Sequence, residues 1–293
     1  EERPSSLEML RLLVLGCLAA LGHSADDDSC LTCASEILRD NWAATSFPTM
    51  PKGLEFNDAC GNNPTSIGSG QNCPSSSCMV YAFPFQGQMA FVRGCYSDFL
   101  TFDSNVTRTV ASQTCSYGTP NGNVTVKYTK PGGGFESAEG KSVFLLCSTL
   151  DCNGVFQPNE IFFNNKDPAF KTCNQIPKKS CVECQRVGST GSCSSTATTT
   201  CSGSVCTKYD GYLGDEWFEV RGCAGVSPFT RDQCSWVDWD VGVKLQEVSI
   251  PKQYQGTHCF CSGEKCNPAH RLSPLFISLL LPFCSFLLSL LSP

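Results

Sequence analysis

The residues whose type and spacing could carry chemistry are cysteines and one histidine. Cys30-x-x-Cys33 and Cys181-x-x-Cys184 have the spacing of a zinc knuckle or a dithiol redox centre, and His258 stands directly before Cys259. A thioredoxin-like reading wants the pair to open a helix in a βαβ unit, whereas both pairs here are flanked by strand and turn residues. A hydrolase wants a nucleophile, a base and oxyanion donors in mutual reach. Outside the apolar N-terminal segment the available imidazoles are His258, which abuts a cysteine of the frame, and His270, which lies in a stem leading to an apolar segment. Aspartate and glutamate are scattered, as on a solvated surface. No catalytic residue, metal ligand or cofactor is therefore assigned, and an enzyme is not expected.

The chain has 293 residues and 22 cysteines, and setting aside Cys17 and Cys284 in its apolar end segments leaves an even 20. That density fits a secreted disulfide framework rather than a cytosolic thiol protein. Each bridge contributes roughly 2–4 kcal/mol, mostly by restricting the unfolded chain, so small domains with thin cores become stable. The formal charge of −6, without a dense Lys/Arg cluster, leaves no footprint for nucleic acid or for a basic membrane patch.

Arg11 and the apolar residues 12–21 read as the core of a removed secretion signal, residues 1–24, with Gly22, Ser24 and Ala25 offering cleavage sites. Residues 1–8 precede Met9, are acidic, and read as an upstream extension. Residues 275–293 are apolar, interrupted by prolines and serines, with no basic residue after them. That pattern fits a removed glycolipid-anchor signal, residues 268–293, better than a spanning helix with a cytoplasmic Lys/Arg flank. The attachment residue falls between Asn267 and Ser273, with Asn267 leading.

The cysteines repeat. Cys73, Cys78 and Cys95 recur at Cys201, Cys206 and Cys223, an offset of 128 each time, and both third cysteines sit in the phrase Val-Arg-Gly-Cys (92–95 and 220–223). Each copy opens on Cys-x-x-Cys and closes on Cys-x4-Cys-Asn, at Cys147, Cys152 and Asn153 and at Cys261, Cys266 and Asn267. A repeated closing asparagine suits a side chain that holds strand ends by hydrogen bonds.

This order of cysteines resembles the Ly6/uPAR family of three-finger domains over nearly all of the mature chain. The resemblance implies an all-β, small, disulfide-rich fold: two tandem three-finger domains at 25–153 and 181–267, joined by a connector, 154–180. For copy two it implies the bridges Cys181 to Cys206, Cys184 to Cys193, Cys201 to Cys223, Cys234 to Cys259 and Cys261 to Cys266. The matching cysteines of copy one are Cys30 and Cys78, Cys33 and Cys60, Cys73 and Cys95, and Cys147 and Cys152. Leu145 stands where copy two has Cys259, so Cys115 loses its counterpart, and parity offers Cys173 from the connector. The alternative is that both are free or bond to another chain. Copy one also carries 26 residues between Cys33 and Cys60 where copy two has 8 between Cys184 and Cys193, a long insertion in its first finger.

Within that insertion residues 36–42 suit a short helix. Residues 79–83 and 89–93 are rich in β-formers around a turn, as are 206–209 and 216–221. In the third finger of copy one, residues 123–129 and 141–146 are expected to pair across the Gly-rich turn at 131–134; in copy two, 236–240 returns through 248–250. The sequons at Asn105 and Asn123 mark candidate glycosylation sites. Tyr209, Tyr212, Trp217, Trp236 and Trp239 gather in copy two among Asp210, Asp215, Asp238 and Asp240, and form the candidate partner-binding surface. The bland reading is that about half of them pack against neighbouring strands, as aromatics in sheets do. Tyr81, Phe83 and Phe85 are a similar candidate patch in copy one. The resemblance implies a GPI-anchored protein on the outer leaflet of the plasma membrane that binds an extracellular protein; shedding stays open. The alternatives are a secreted two-domain inhibitor and a passive coat or adhesion protein.

Overall fold

The computed structural model describes residues 29–67, 70–73, 76–100, 114–122, 124–129, 135–155, 173–245 and 248–268. The signal and anchor segments, the sequons at Asn105 and Asn123, the turn at 131–134 and most of the connector lie outside these residues. The described chain is all-β and disulfide-rich, with ten bridges. It falls into two compact units, one drawn from Glu1–Tyr117 and Thr125–Gln175, the other from Gly118–Val124 and Ile176–Pro293.

In unit 1 the strands are β1 (Ser29–Cys30), β2 (Cys33–Ala34), β3 (Gln71–Asn72), β4 (Cys78–Phe85), β5 (Gln88–Cys95), β6 (Thr114–Gly118), β7 (Thr125–Thr129), β8 (Phe135–Glu139), β9 (Ser142–Cys147) and β10 (Asn174–Gln175). In unit 2 they are β11 (Lys179–Val182), β12 (Cys184–Val187), β13 (Thr190–Gly191), β14 (Thr200–Gly203), β15 (Val205–Leu213), β16 (Glu216–Ala224), β17 (Gln233–Leu245) and β18 (Val248–Cys261).

The two units share one ladder. β5 pairs β4, which pairs β9, and Cys78 lies opposite both Cys95 and Cys147. β16 pairs β15, which pairs β18, and Cys206 lies opposite both Cys223 and Cys261. β2 flanks β5 as β12 flanks β16, and β6 lies outside β9 as β17 lies outside β18. The central hairpins turn on two residues. Gln86 and Gly87 take φ of 48° and 80°, and Gly214 takes 63°, the left-handed backbone that matches the twist of tight hairpins.

Beside each ladder sits a knot of sulfur. Cys181, Cys201 and Cys206 form a buried cluster with Cys223, Cys261 and Cys266 against it. In unit 1 Cys115 is bonded to Cys173, with Cα atoms 4.5 Å apart, and β10 runs beside β6. The closing asparagines clamp the strands to this knot. Asn153 Oδ1 accepts from the Leu31 N–H at 3.0 Å, while its Nδ2 donates to the carbonyls of Leu31 at 2.8 Å and Met79 at 3.2 Å. Asn267 repeats this with Val182 N–H (3.1 Å) and the carbonyls of Val182 (2.9 Å) and Thr207 (3.0 Å). One amide thus satisfies three main-chain groups, buried around Asn153 and partly buried around Asn267.

Two sequence expectations change. The third hairpin of copy one closes earlier: β7 pairs β8, Thr125 opposite Glu139, while residues 142–147 form β9 and pair with β4 instead. The stretch 36–42 is not one helix but two 3-10 turns, Glu36–Leu38 and Trp42–Thr45, separated by Asn41, whose Nδ2 donates to the Ile37 carbonyl.

Candidate functional site

Strand alternation divides the five aromatic candidates. Along β17, Val237 and Trp239 point to the buried face while Trp236 and Asp238 point to the other, because successive side chains alternate. Tyr209, Trp239 and His258 share the buried face, and Trp239 is only 6% exposed. Tyr209 and Trp239 therefore do not belong to the exposed surface. They build a core instead: His258 stacks on Tyr209 at 3.7 Å, with Phe260 at 4.5 Å and Trp239 at 5.9 Å. Burial lowers the His258 pKa to about 3, and neither ring nitrogen has a hydrogen-bond partner among the described residues. The imidazole is thus a neutral packing group, unsuited to act as a base. Tyr254 folds back over Gly256, where a Cβ would come within 2.7 Å of its hydroxyl. That hydroxyl donates to the Thr257 carbonyl and accepts from the Asp210 N–H, each at 3.0 Å. Burial pushes its pKa up.

The opposite face holds the remaining three rings. Register places side chains in rows across β16, β15, β18 and β17: Arg221, Lys208, Cys259 and Cys234; then Glu219, Asp210, Thr257 and Trp236; then Trp217, Tyr212, Gln255 and Asp238. Trp236, Tyr212 and Trp217 are 63%, 52% and 37% exposed, and Tyr212 meets Trp217 edge to face with centroids 5.4 Å apart. The Asp238 carboxylate accepts from Gln253 Nε2 at 2.7 Å and Gln255 Nε2 at 3.1 Å, so its neighbours are neutral donors. Below these rows the cations are already taken. Lys208 Nζ lies 2.8 Å from Asp210, and Arg221 reaches Glu219 Oε1 through both Nε (2.9 Å) and Nη2 (2.7 Å). Lys208, Glu219 and Arg221 are all buried, and the sequence reading did not single them out, although Val-Arg-Gly-Cys carries one of them.

The candidate patch of copy one is not a surface. Tyr81 and Phe83 are buried, with Phe47 from the insertion edge-on to Tyr81 at 5.7 Å, and Phe85, half-buried at the hairpin end, meets Phe83 at 6.3 Å. Phe47 also packs on Phe99 at 5.1 Å, and Trp42 stacks on Phe99 at 6.1 Å.

The insertion covers the other face of β4 and β5 too. Residues 55–57 bond to Ala34, extending the sheet, and the helical turn Ala59–Asn62 then lies on β5. A Cβ at Gly61 would come within 2.5 Å of the Phe91 ring, and Arg93 Nε donates to the Cys60 carbonyl at 2.8 Å. Arg93 Nη1 donates to the Asn153 carbonyl, and burial lowers its pKa to about 9, which leaves it charged at neutral pH.

The Cys-x-x-Cys pairs are bridged elsewhere: Cys30 to Cys78, Cys33 to Cys60, Cys181 to Cys206 and Cys184 to Cys193. Among the described residues Cys206, Cys261 and Cys266 come within 4.8 Å of one another, but all three are in disulfides and offer no thiolate. No protein-family model, curated protein or solved structure matches the chain.

Proposed function

We propose that the chain is a two-domain, Ly6/uPAR-like three-finger protein, held at the cell surface by a glycolipid, that binds another extracellular protein. The observation carrying this reading is the group of exposed rings Tyr212, Trp217 and Trp236 on a sheet fixed by disulfides on either side. Aromatic anchors on a rigid platform lose little side-chain entropy on binding, which is why such residues dominate protein interfaces. The repeated ladder, with its hairpins running from a sulfur-rich end, supports the three-finger assignment. The apolar composition of residues 275–293 supports the anchor. Attachment at Asn267 would use its main-chain carboxyl and leave the side-chain clamp intact.

Two measurements test the reading. Phosphatidylinositol-specific phospholipase should release the protein from cells expressing it; retention on the membrane would contradict the anchor. The released protein should bind in a saturable way to cells bearing its partner, and uniformly unsaturable binding would contradict a receptor-like role.

A further inference from the structure

The face that unit 1 fills with apolar side chains is, in unit 2, an ion network that is mostly buried at the cysteine end and open in its last rows. Val80, Ala82, Phe91, Val143 and Leu145 of unit 1 match Lys208, Asp210, Glu219, Thr257 and Cys259 of unit 2 by register with the shared cysteines. All five in unit 1 are buried, beside the turn Ala59–Asn62 that follows the 26-residue insertion. The link between Cys184 and Cys193 has 8 residues and forms the β12–β13 hairpin, and among the described residues no such turn lies over the last rows of unit 2, where Tyr212, Trp217 and Trp236 are exposed. Rings stand there instead: Trp217 where unit 1 has Met89, and Tyr212 where it has Pro84.

The four strands place Tyr212 and Trp217 on one side, Trp236 and Asp238 on the other, and Thr257 and Gln255 as the floor between them, about 15 Å across at the usual strand spacing. The exposed carboxylates of this face, Asp238 and Asp240, lie along β17, and the groups bonded to Asp238 are the neutral amides of Gln253 and Gln255. Of the face's own cations, Lys208 and Arg221 are buried against the half-buried Asp210 and the buried Glu219, and Arg186, half-buried opposite Glu219 on β12, donates its Nε to the Gly188 carbonyl at 3.1 Å. Ring faces attract cations through their quadrupole, and carboxylates beside them select positive charge and reject an anionic surface.

We infer that this face receives a basic segment of the partner protein, an Arg or Lys side chain lying on the rings of Tyr212, Trp217 and Trp236 and pairing with Asp238 and Asp240. The inference rests on the reading of the chain as a protein-binding module, and gives that module its ligand chemistry.

The test is the fluorescence anisotropy of a labelled (Gly-Arg)4 peptide titrated with the full chain, with (Gly-Glu)4 as control. Arginine peptide should bind and glutamate peptide should not. Trp217→Ala with Trp236→Ala should weaken binding about tenfold or more, and Asp238→Asn with Asp240→Asn about threefold to tenfold with a flatter salt dependence. All four positions are exposed, so far-UV circular dichroism and non-reducing mobility should match the parent. Unchanged binding in either variant overturns the inference. So does equal binding of the glutamate peptide, preference for phosphatidylserine vesicles, or a dimer that the tryptophan variant dissociates. Cell binding measured in parallel separates the two readings. If it survives the tryptophan variant, this face is wrong and the module stands; if the parent chain binds no cell, the module reading fails whatever the peptide does.

Discussion

Unit 1 and unit 2 carry the same ladder, with Cys78 and Cys206 each facing two further cysteines across the sheet, yet one sheet face, which keeps a matched arginine at Arg93 and Arg221, differs at the five positions around it. In unit 1 it is apolar apart from the buried Arg93 and lies beneath the turn that follows the insertion. In unit 2 it is a buried ion network that gives way to exposed rings and carboxylates. The difference teaches that the disulfides and the closing asparagine set the backbone, while the length of the segment after the first Cys-x-x-Cys decides whether this face is core or surface. Side chains follow that decision: Phe91 has a partner in Gly61, and the matching Glu219 pairs with Arg221 and Lys208.

The largest effect should come from the clamps. Asn153→Ala strands three main-chain groups and Asn267→Ala at least three, at roughly 3–5 kcal/mol per substitution. Hydrogen exchange with the bridges intact should show the loss confined to the clamp's own unit; a loss spread over both would break the picture of two independent frameworks. Next, Met89→Ala should cost about 2–4 kcal/mol as a core truncation, whereas Trp217→Ala at the matched position should stay within about 0.5 kcal/mol. Equal losses in urea unfolding would mean that the face in unit 2 is covered after all.

A smaller contrast is in pH. The position of His258 is Phe144 in unit 1. The His258 pKa drops from 6.5 to about 3 on burial, so below pH 6.5 the unfolded chain takes up a proton that the folded chain refuses. Folding stability should fall as pH drops, by about 1.4 kcal/mol per unit, until the folded group also titrates near 3. His258→Phe should remove that slope from unit 2, and a slope that persists would assign it to other groups.

The all-β, disulfide-rich character was legible because cysteine parity, the repeat and the β-rich runs all pointed one way. The central hairpins were legible for the same reason: residues 79–83 and 89–93 fall inside β4 and β5. The third hairpin of copy one was misread because β8, Phe-Glu-Ser-Ala-Glu, has little β propensity of its own and is held by its pairing with β7. Of the five aromatic candidates, Trp236 and Trp239 could not be separated by composition. Being three apart, an odd number, they fall on opposite faces of a strand, but which face is covered depends on packing that no local pattern encodes. Arg93 and Arg221 were quoted only as letters of a repeated phrase. Their burial follows from the carbonyls and carboxylate they reach, at Cys60 in one unit and Glu219 in the other.

Hydroxyl-radical footprinting of the four tryptophans in the full chain addresses the open face most directly. Trp217 and Trp236 should be labelled readily while Trp42 and Trp239 are spared, and (Gly-Arg)4 should protect the first two alone. Equal labelling of Trp239 and Trp236, or protection that leaves Trp217 and Trp236 unchanged, would contradict the account.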